Sequence, residues 1–171
     1  MYGLFITMTT EDKYFTNLKE VFDVLGSISR QYNWLLSDYD CNIYPSEKIP
    51  VNELFVWLSG DELVNILRER EIQLIWGVLT AYTKDITPDE VLRYPYPIAE
   101  DYEGFWNTDI KMQNPLADFE MISIDSTFFS VIARTKELID KFAKRYPNSI
   151  DLIEYNRSIR ERYDKETVNP S

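Results

Sequence analysis

The chain has 171 residues, 44% hydrophobic and 15% aromatic, enough to bury one domain's core and too rich in rings for a disordered polymer. It contains no His and a single Cys, Cys41, which removes His-based triads and dyads, His-ligated metals, internal disulfides and thiolate clusters. Its net charge of -11 is uneven: residues 1–133 carry 22 acidic and 9 basic side chains, whereas residues 134–171 carry 7 and 9.

In chain order, residues 2–8 are apolar and β-prone and predict a first strand. Thr9-Thr10-Glu11-Asp12 resembles a helix start, and Phe15, Leu18, Val21, Phe22 and Leu25 then recur at helical spacing. With Gly26 as the stop, the pattern predicts a helix over 11–26. Residues 32–37 read as a strand, 38–42 as a polar turn, Pro45 and Pro50 as brackets of a loop, and 53–58 as another strand. Ser59 and Glu62 form a capping box that opens a helix over 60–70. Residues 72–82 hold many strand formers with little alternation, as in a central strand covered on both faces.

Thr87-Pro88-Asp89-Glu90 is a second capping box, and Tyr94-Pro95-Tyr96-Pro97 ends its short helix. Residues 95–117 form the longest irregular stretch. Residues 119–124 and 127–133 predict a hairpin around Asp125-Ser126, with Phe119, Met121, Phe129 and Val131 on one face. Thr135 opens a helix to about Lys144, with Leu138, Ile139 and Phe142 inward. Residues 150–163 suit helix and strand alike, and 164–171 read as a polar C-terminal tail. These elements predict a single α+β domain over 1–163, a mostly antiparallel sheet with three to four helices packed on it.

No motif assigns a catalytic residue, a metal or a cofactor. Asp38 and Asp40 flank Tyr39 and form a carboxylate pair that could do acid–base work or hold Mg²⁺ or Ca²⁺, although a solvated turn is the simpler reading. Cys41 lacks a His to activate it and reads as a packed thiol. Gly60-Asp61-Glu62 puts two acids where a helix N-terminus would hold an anion. Trp57 and Trp76 lie in strand-like runs and read as core. The basic run Lys136, Lys141, Lys144 and Arg145 reads as a solvated helix face.

The acidic, ring-bearing segment 98–109 is the best interface candidate. Its members are Glu100, Asp101, Tyr102, Glu103, Phe105, Trp106 and Asp109. Rings supply contact area, and acids match a basic protein while repelling nucleic acid. Residues 1–7 lack a basic start and a long apolar core, so no signal peptide is expected. No apolar run approaches the roughly 18 residues of a membrane span. With one free Cys, a cytoplasmic location away from membranes is expected.

Tyr-Asn-Trp-Leu-Leu-Ser (32–37), Phe-Val-Trp-Leu-Ser-Gly-Asp-Glu-Leu (55–63), Gln-Leu-Ile-Trp-Gly-Val-Leu-Thr-Ala-Tyr (73–82) and Phe-Glu-Met-Ile-Ser-Ile-Asp-Ser-Thr-Phe (119–128) follow one another before Leu-Ile-Glu-Tyr-Asn (152–156). This order, over about residues 30–156, resembles small acidic bacterial proteins of uncharacterised families, immunity proteins of toxin systems among them. The resemblance implies an inhibitor that blocks a basic toxin or enzyme by surface complementarity. It carries over no functional residue. A carboxylate enzyme working through Asp38 and Asp40, and a self-associating protein such as a homodimer, stay open beside it.

Overall fold

Strands with a buried residue at nearly every position need cover on both faces, and this chain provides it. The computed structural model describes residues 1–7, 15–44, 48–51 and 53–168, with backbone alone at 163–168. Seven strands form one sheet: β1 (Tyr2–Thr7), β2 (Tyr32–Cys41), β3 (Phe55–Ser59), β4 (Leu74–Thr83), β5 (Phe119–Ile124), β6 (Phe128–Ala133) and β7 (Ile150–Asp151). Their spatial order is β3-β2-β4-β5-β6-β1-β7, and every neighbouring pair is antiparallel. The expected α+β domain with an antiparallel sheet is what forms.

The helices are α1 (Leu18–Leu25), α2 (Gly60–Glu69), α3 (Pro88–Val91), α4 (Lys136–Arg145) and α5 (Leu152–Val168). Helices α1, α2 and α4 cover one face, over Leu4, Ile6, Trp34, Leu36, Leu79, Phe119, Met121, Phe129 and Val131. The predicted shared face of the β5–β6 hairpin is this one. Its turn residues Asp125 and Ser126 both take positive φ, 52° and 53°, matching the right-handed strand twist. The opposite face carries Phe5, Leu35, Val78, Tyr82, Ile122 and Ile132 and is covered by the segment 84–117 and the start of α5. Both capping boxes form as expected, at Ser59/Glu62 and Thr87/Glu90.

Two expectations need correction. The first helix starts at Leu18 with Asn17 as its cap, accepting from Lys19 N at 2.9 Å. Residues 15–18 instead pair with the approach to β4: Leu74 N donates to Thr16 O, and Leu18 N donates to Ile72 O. Thr16 sits at φ 66°, which no helix continues through. The expected start at 9–14 lies outside the described residues. Second, 38–41 are not a turn but the end of β2, reached through a bulge. Ser37 faces Val78 and Asp40 faces Trp76, so Asp38 and Tyr39 together oppose Gly77. Gly77 has φ +139°, and a Cβ there would lie 3.0 Å from Tyr39 Cα. The stretch 150–163, open between helix and strand in the sequence, splits into the short edge strand β7 and α5. Helix α5 runs on through 164–168, within the polar tail; 169–171 lie outside the described residues. Among the described residues, no helix is long and apolar enough to cross a membrane.

Candidate functional site

A long irregular segment can hold one shape only if its backbone groups find partners. Residues 95–117 find them in side chains of the sheet, of α5, of Arg134 just after β6 and of Gln113 within the segment itself. Ser37 Oγ donates to Pro97 O at 2.6 Å. The Asp38 carboxylate accepts from Ala99 N at 2.7 Å and Glu100 N at 3.2 Å. Gln113 holds Ile98 twice, accepting from its N–H at 2.9 Å and donating to its carbonyl at 2.8 Å. Asn156 of α5 is 1% exposed, and its amide donates to Phe105 O at 2.7 Å and Asn107 O at 2.8 Å. Arg134 donates to Ala117 O and Pro115 O. The bulge in β2 brings Asp38 to this task, since it puts two successive residues, Ser37 and Asp38, to work on one segment.

Within this frame the seven interface candidates separate. Asp101, at φ 61°, turns the chain into a 3-10 turn at Glu103–Trp106. Tyr102 is half-buried, edge-on to Phe105 with centroids 4.7 Å apart. Its ring lies over Gly104, where an added Cβ would come within 2.3 Å of it. Phe105 is 5% exposed and belongs to the core. Trp106, the next residue, is 44% exposed. Its ring leans on Phe128 at 6.1 Å and Tyr155 at 6.5 Å, and Tyr155 itself stacks on Phe5 at 3.7 Å.

Glu100, Asp101, Glu103 and Asp109 are exposed. Asp109 pairs with exposed Lys111 at 2.7 Å, a contact worth little in water. Among the described residues, Glu100, Asp101 and Glu103 form no ion pair. The exposed side is thus Trp106 with four acids; Phe105 is buried beneath it and Tyr102 is half-buried. Beside Trp106 runs a furrow of about 490 Å³ lined by Asn107, Tyr155, Asn156, Ile159 and Arg160.

Asp38 and Asp40 do not act as a pair. Asp38 serves the Ala99 and Glu100 amides, whereas Asp40 accepts from Tyr44 Oη at 2.6 Å. Among the described residues no three Asp, Glu or Cys side chains converge as metal ligands. Burial, with Asp40 beside it, pushes the Cys41 thiol up to about 12, which leaves it protonated and unreactive.

Sequence reasoning missed the polar residues beneath the segment. Glu120 is wholly buried on β5 and accepts from Gln113 N at 3.1 Å through Oε2. Burial raises its carboxyl to about 8, against the opposing pull of Gln113. Thr80 and Tyr82 of β4 lie beside it, and burial also pushes the Tyr82 phenol up. Glu120 Oε1 is buried with no hydrogen-bond partner among the described residues, while the Thr80 hydroxyl and the Tyr82 phenol lie within each other's reach. Phe119-Glu120-Met121-Ile122 held a usable signal: an acid inside an apolar strand run. Compared with known proteins, the chain matches no family model, no curated protein and no solved structure.

Proposed function

We propose that this chain is an acidic binding protein of the immunity type, which inhibits a basic protein such as a toxin by covering part of its surface. The docking face is the exposed side of residues 98–109. One observation carries the reading: an exposed Trp106 fixed on a pinned turn, with Glu100, Asp101 and Glu103 free of ion pairs among the described residues. A rigid ring supplies a hot-spot anchor at small entropic cost, and unpaired acids steer a cationic partner. Such an inhibitor acts by occupation and uses no catalytic group. The single free Cys and the acidic surface suit action in the cytoplasm. The carboxylate-enzyme reading gains no support, because Asp38 and Asp40 each already satisfy internal donors.

The test is capture from the source cell's lysate on immobilised protein at low salt, with elution by a salt gradient. Wild type runs beside Trp106→Ala and the double variant Glu100→Lys/Glu103→Lys. Wild type is expected to release one basic protein in stoichiometric amount. Trp106→Ala is expected to weaken that binding by about 30-fold, the scale of a hot-spot ring. The charge reversals are expected to bring elution to lower salt. Capture of the same protein by all three forms, or of none at any salt, would overturn the proposal.

A further inference from the structure

The groups beneath the docking face form one connected set. Thr80 and Glu120 are direct partners across β4 and β5, and Tyr82 follows on the same side of β4. Thr80 and Tyr82 are left to each other, and Glu120 Oε1 is buried without a partner among the described residues. Buried polar groups normally have partners, so a wholly buried carboxyl oxygen without one calls for a physical explanation. The one hydrogen bond that Glu120 makes leads outward. Its Oε2 holds Gln113 N, the Gln113 amide clasps Ile98 at both backbone groups, and Ile98 precedes the Ala99 and Glu100 amides bound by Asp38.

We propose that Glu120 is a positioning residue for the docking face: as a neutral acid it latches residues 98–109 to the sheet through Gln113, and its ionisation loosens that segment while the sheet stays intact. The inference rests on residues 98–109 being the docking face and adds a control to it. The groups facing Glu120 explain why its charge has nowhere to go. From β4 come Thr80, which is neutral, and Tyr82, whose phenol burial pushes up. From β6 comes Ile132, its direct partner across the strand pair. From the covering segment come Gln113, which is neutral, and Tyr102, whose phenol is raised by burial and further by Glu120. Lys111 lies beyond Tyr102 and acts on that ring, and no cation is among the influences on Glu120. Both phenols therefore keep their protons when Glu120 loses its own. An unpaired carboxylate there demands water. The strands beneath are locked by backbone ladders, whereas the segment above is held by a few side-chain bonds, so the segment gives way.

The test is NMR on the intact chain between pH 5.5 and 8.5. The ¹³C carboxyl signal of Glu120 reports its ionisation, and hydrogen exchange, corrected for its intrinsic pH dependence, reports opening at the Ile98, Ala99 and Gln113 amides. If opening hydrates Glu120, one-proton linkage makes protection of these amides fall about tenfold per pH unit up to the Glu120 midpoint. Amides of β4 and β5 are expected to show no such slope, and Glu120→Gln, neutral at every pH, is expected to abolish it. A Glu120 midpoint below 6, a flat wild-type profile, an equal slope across the sheet, or the same slope in Glu120→Gln would each overturn the proposal. The wild-type profile decides the matter even if the variant folds poorly. Capture performed at pH 6, with the latch closed, separates the two ideas. Trp106-dependent capture with a flat profile sinks the latch alone, and a sloped profile with no captured partner sinks the docking face alone.

Discussion

Asn156→Ala is expected to destabilise the fold by about 2–4 kcal/mol and to release residues 103–109 before the sheet unfolds. The amide is buried, and both its N–H bonds go to carbonyls of the segment 98–109, Phe105 O and Asn107 O. Removing it leaves two acceptors without a donor where water has poor access, and each such loss costs about 1–3 kcal/mol. It also unties α5 from the turn that carries Trp106. Asn156→Asp keeps the shape but turns an oxygen toward both carbonyls, so it is expected to fare no better. Urea unfolding followed by Trp fluorescence and by far-UV circular dichroism checks both effects. The variants are expected to show the fluorescence change first. A midpoint unchanged from wild type would remove Asn156 from the account.

Glu120 governs the second large effect, the dependence of stability on pH. In the folded chain its carboxyl is raised from 4.5 to about 8, with burial as the main cause. Below pH 4.5 the group is protonated in both states and contributes no pH dependence. Between there and about 8 the unfolded chain has released the proton and the folded chain has not. Stability therefore falls as pH rises through this window, by at most about 1.4 kcal/mol per pH unit and by a few kcal/mol in all. Above it both states are ionised and the loss is complete. Glu62 works in the opposite sense. The bond from Lys48, then those from Ser59, hold it down at about 2, so its contribution is lost only as pH falls below the ordinary carboxylate range. That lies outside the Glu120 window, and the group is exposed, so its share is small. The advantage of Glu120→Gln over wild type in denaturant melts is thus expected to grow steadily from pH 5 to pH 8. Parallel stability profiles for the two proteins would contradict the assignment.

Local chemistry was readable in the sequence wherever few partners decide the outcome. The boxes at Ser59/Glu62 and Thr87/Glu90 close within four residues, and the Asp125-Ser126 turn needs only its own two residues in the left-handed region. Elements decided by distant partners were harder. Residues 15–17 carry helical spacing, yet the backbone ahead of β4 recruits them. Asp38-Tyr39-Asp40 has turn composition, yet Gly77 on the neighbouring strand accommodates a bulge that lets β2 run on.

The segment 98–109 shows the same limit. It has no regular period, so nothing in the sequence separates buried Phe105 from exposed Trp106 one residue later. A 3-10 turn sends neighbouring side chains to different sides, and Asn156, 51 residues from Phe105 along the chain, fixes which side is inward. The acidic composition of the surface was legible. Of the polar residues that hold it in place, half-buried Gln113 and buried Asn156 were not, because polar residues in isolation read as solvated; Glu120 stood out only as an acid inside an apolar strand run.

The proposed docking face requires residues 97–117 to be a preformed surface rather than a mobile loop. Amide hydrogen exchange at pH 6 measures this directly. The N–H groups of Ile98, Ala99, Glu100, Gln113, Leu116 and Ala117, each given a partner within the chain, are expected to exchange far more slowly than free peptides. Exchange of these amides at free-peptide rates, with β4 and β5 still protected, would mean that the segment presents no fixed face for a partner to recognise.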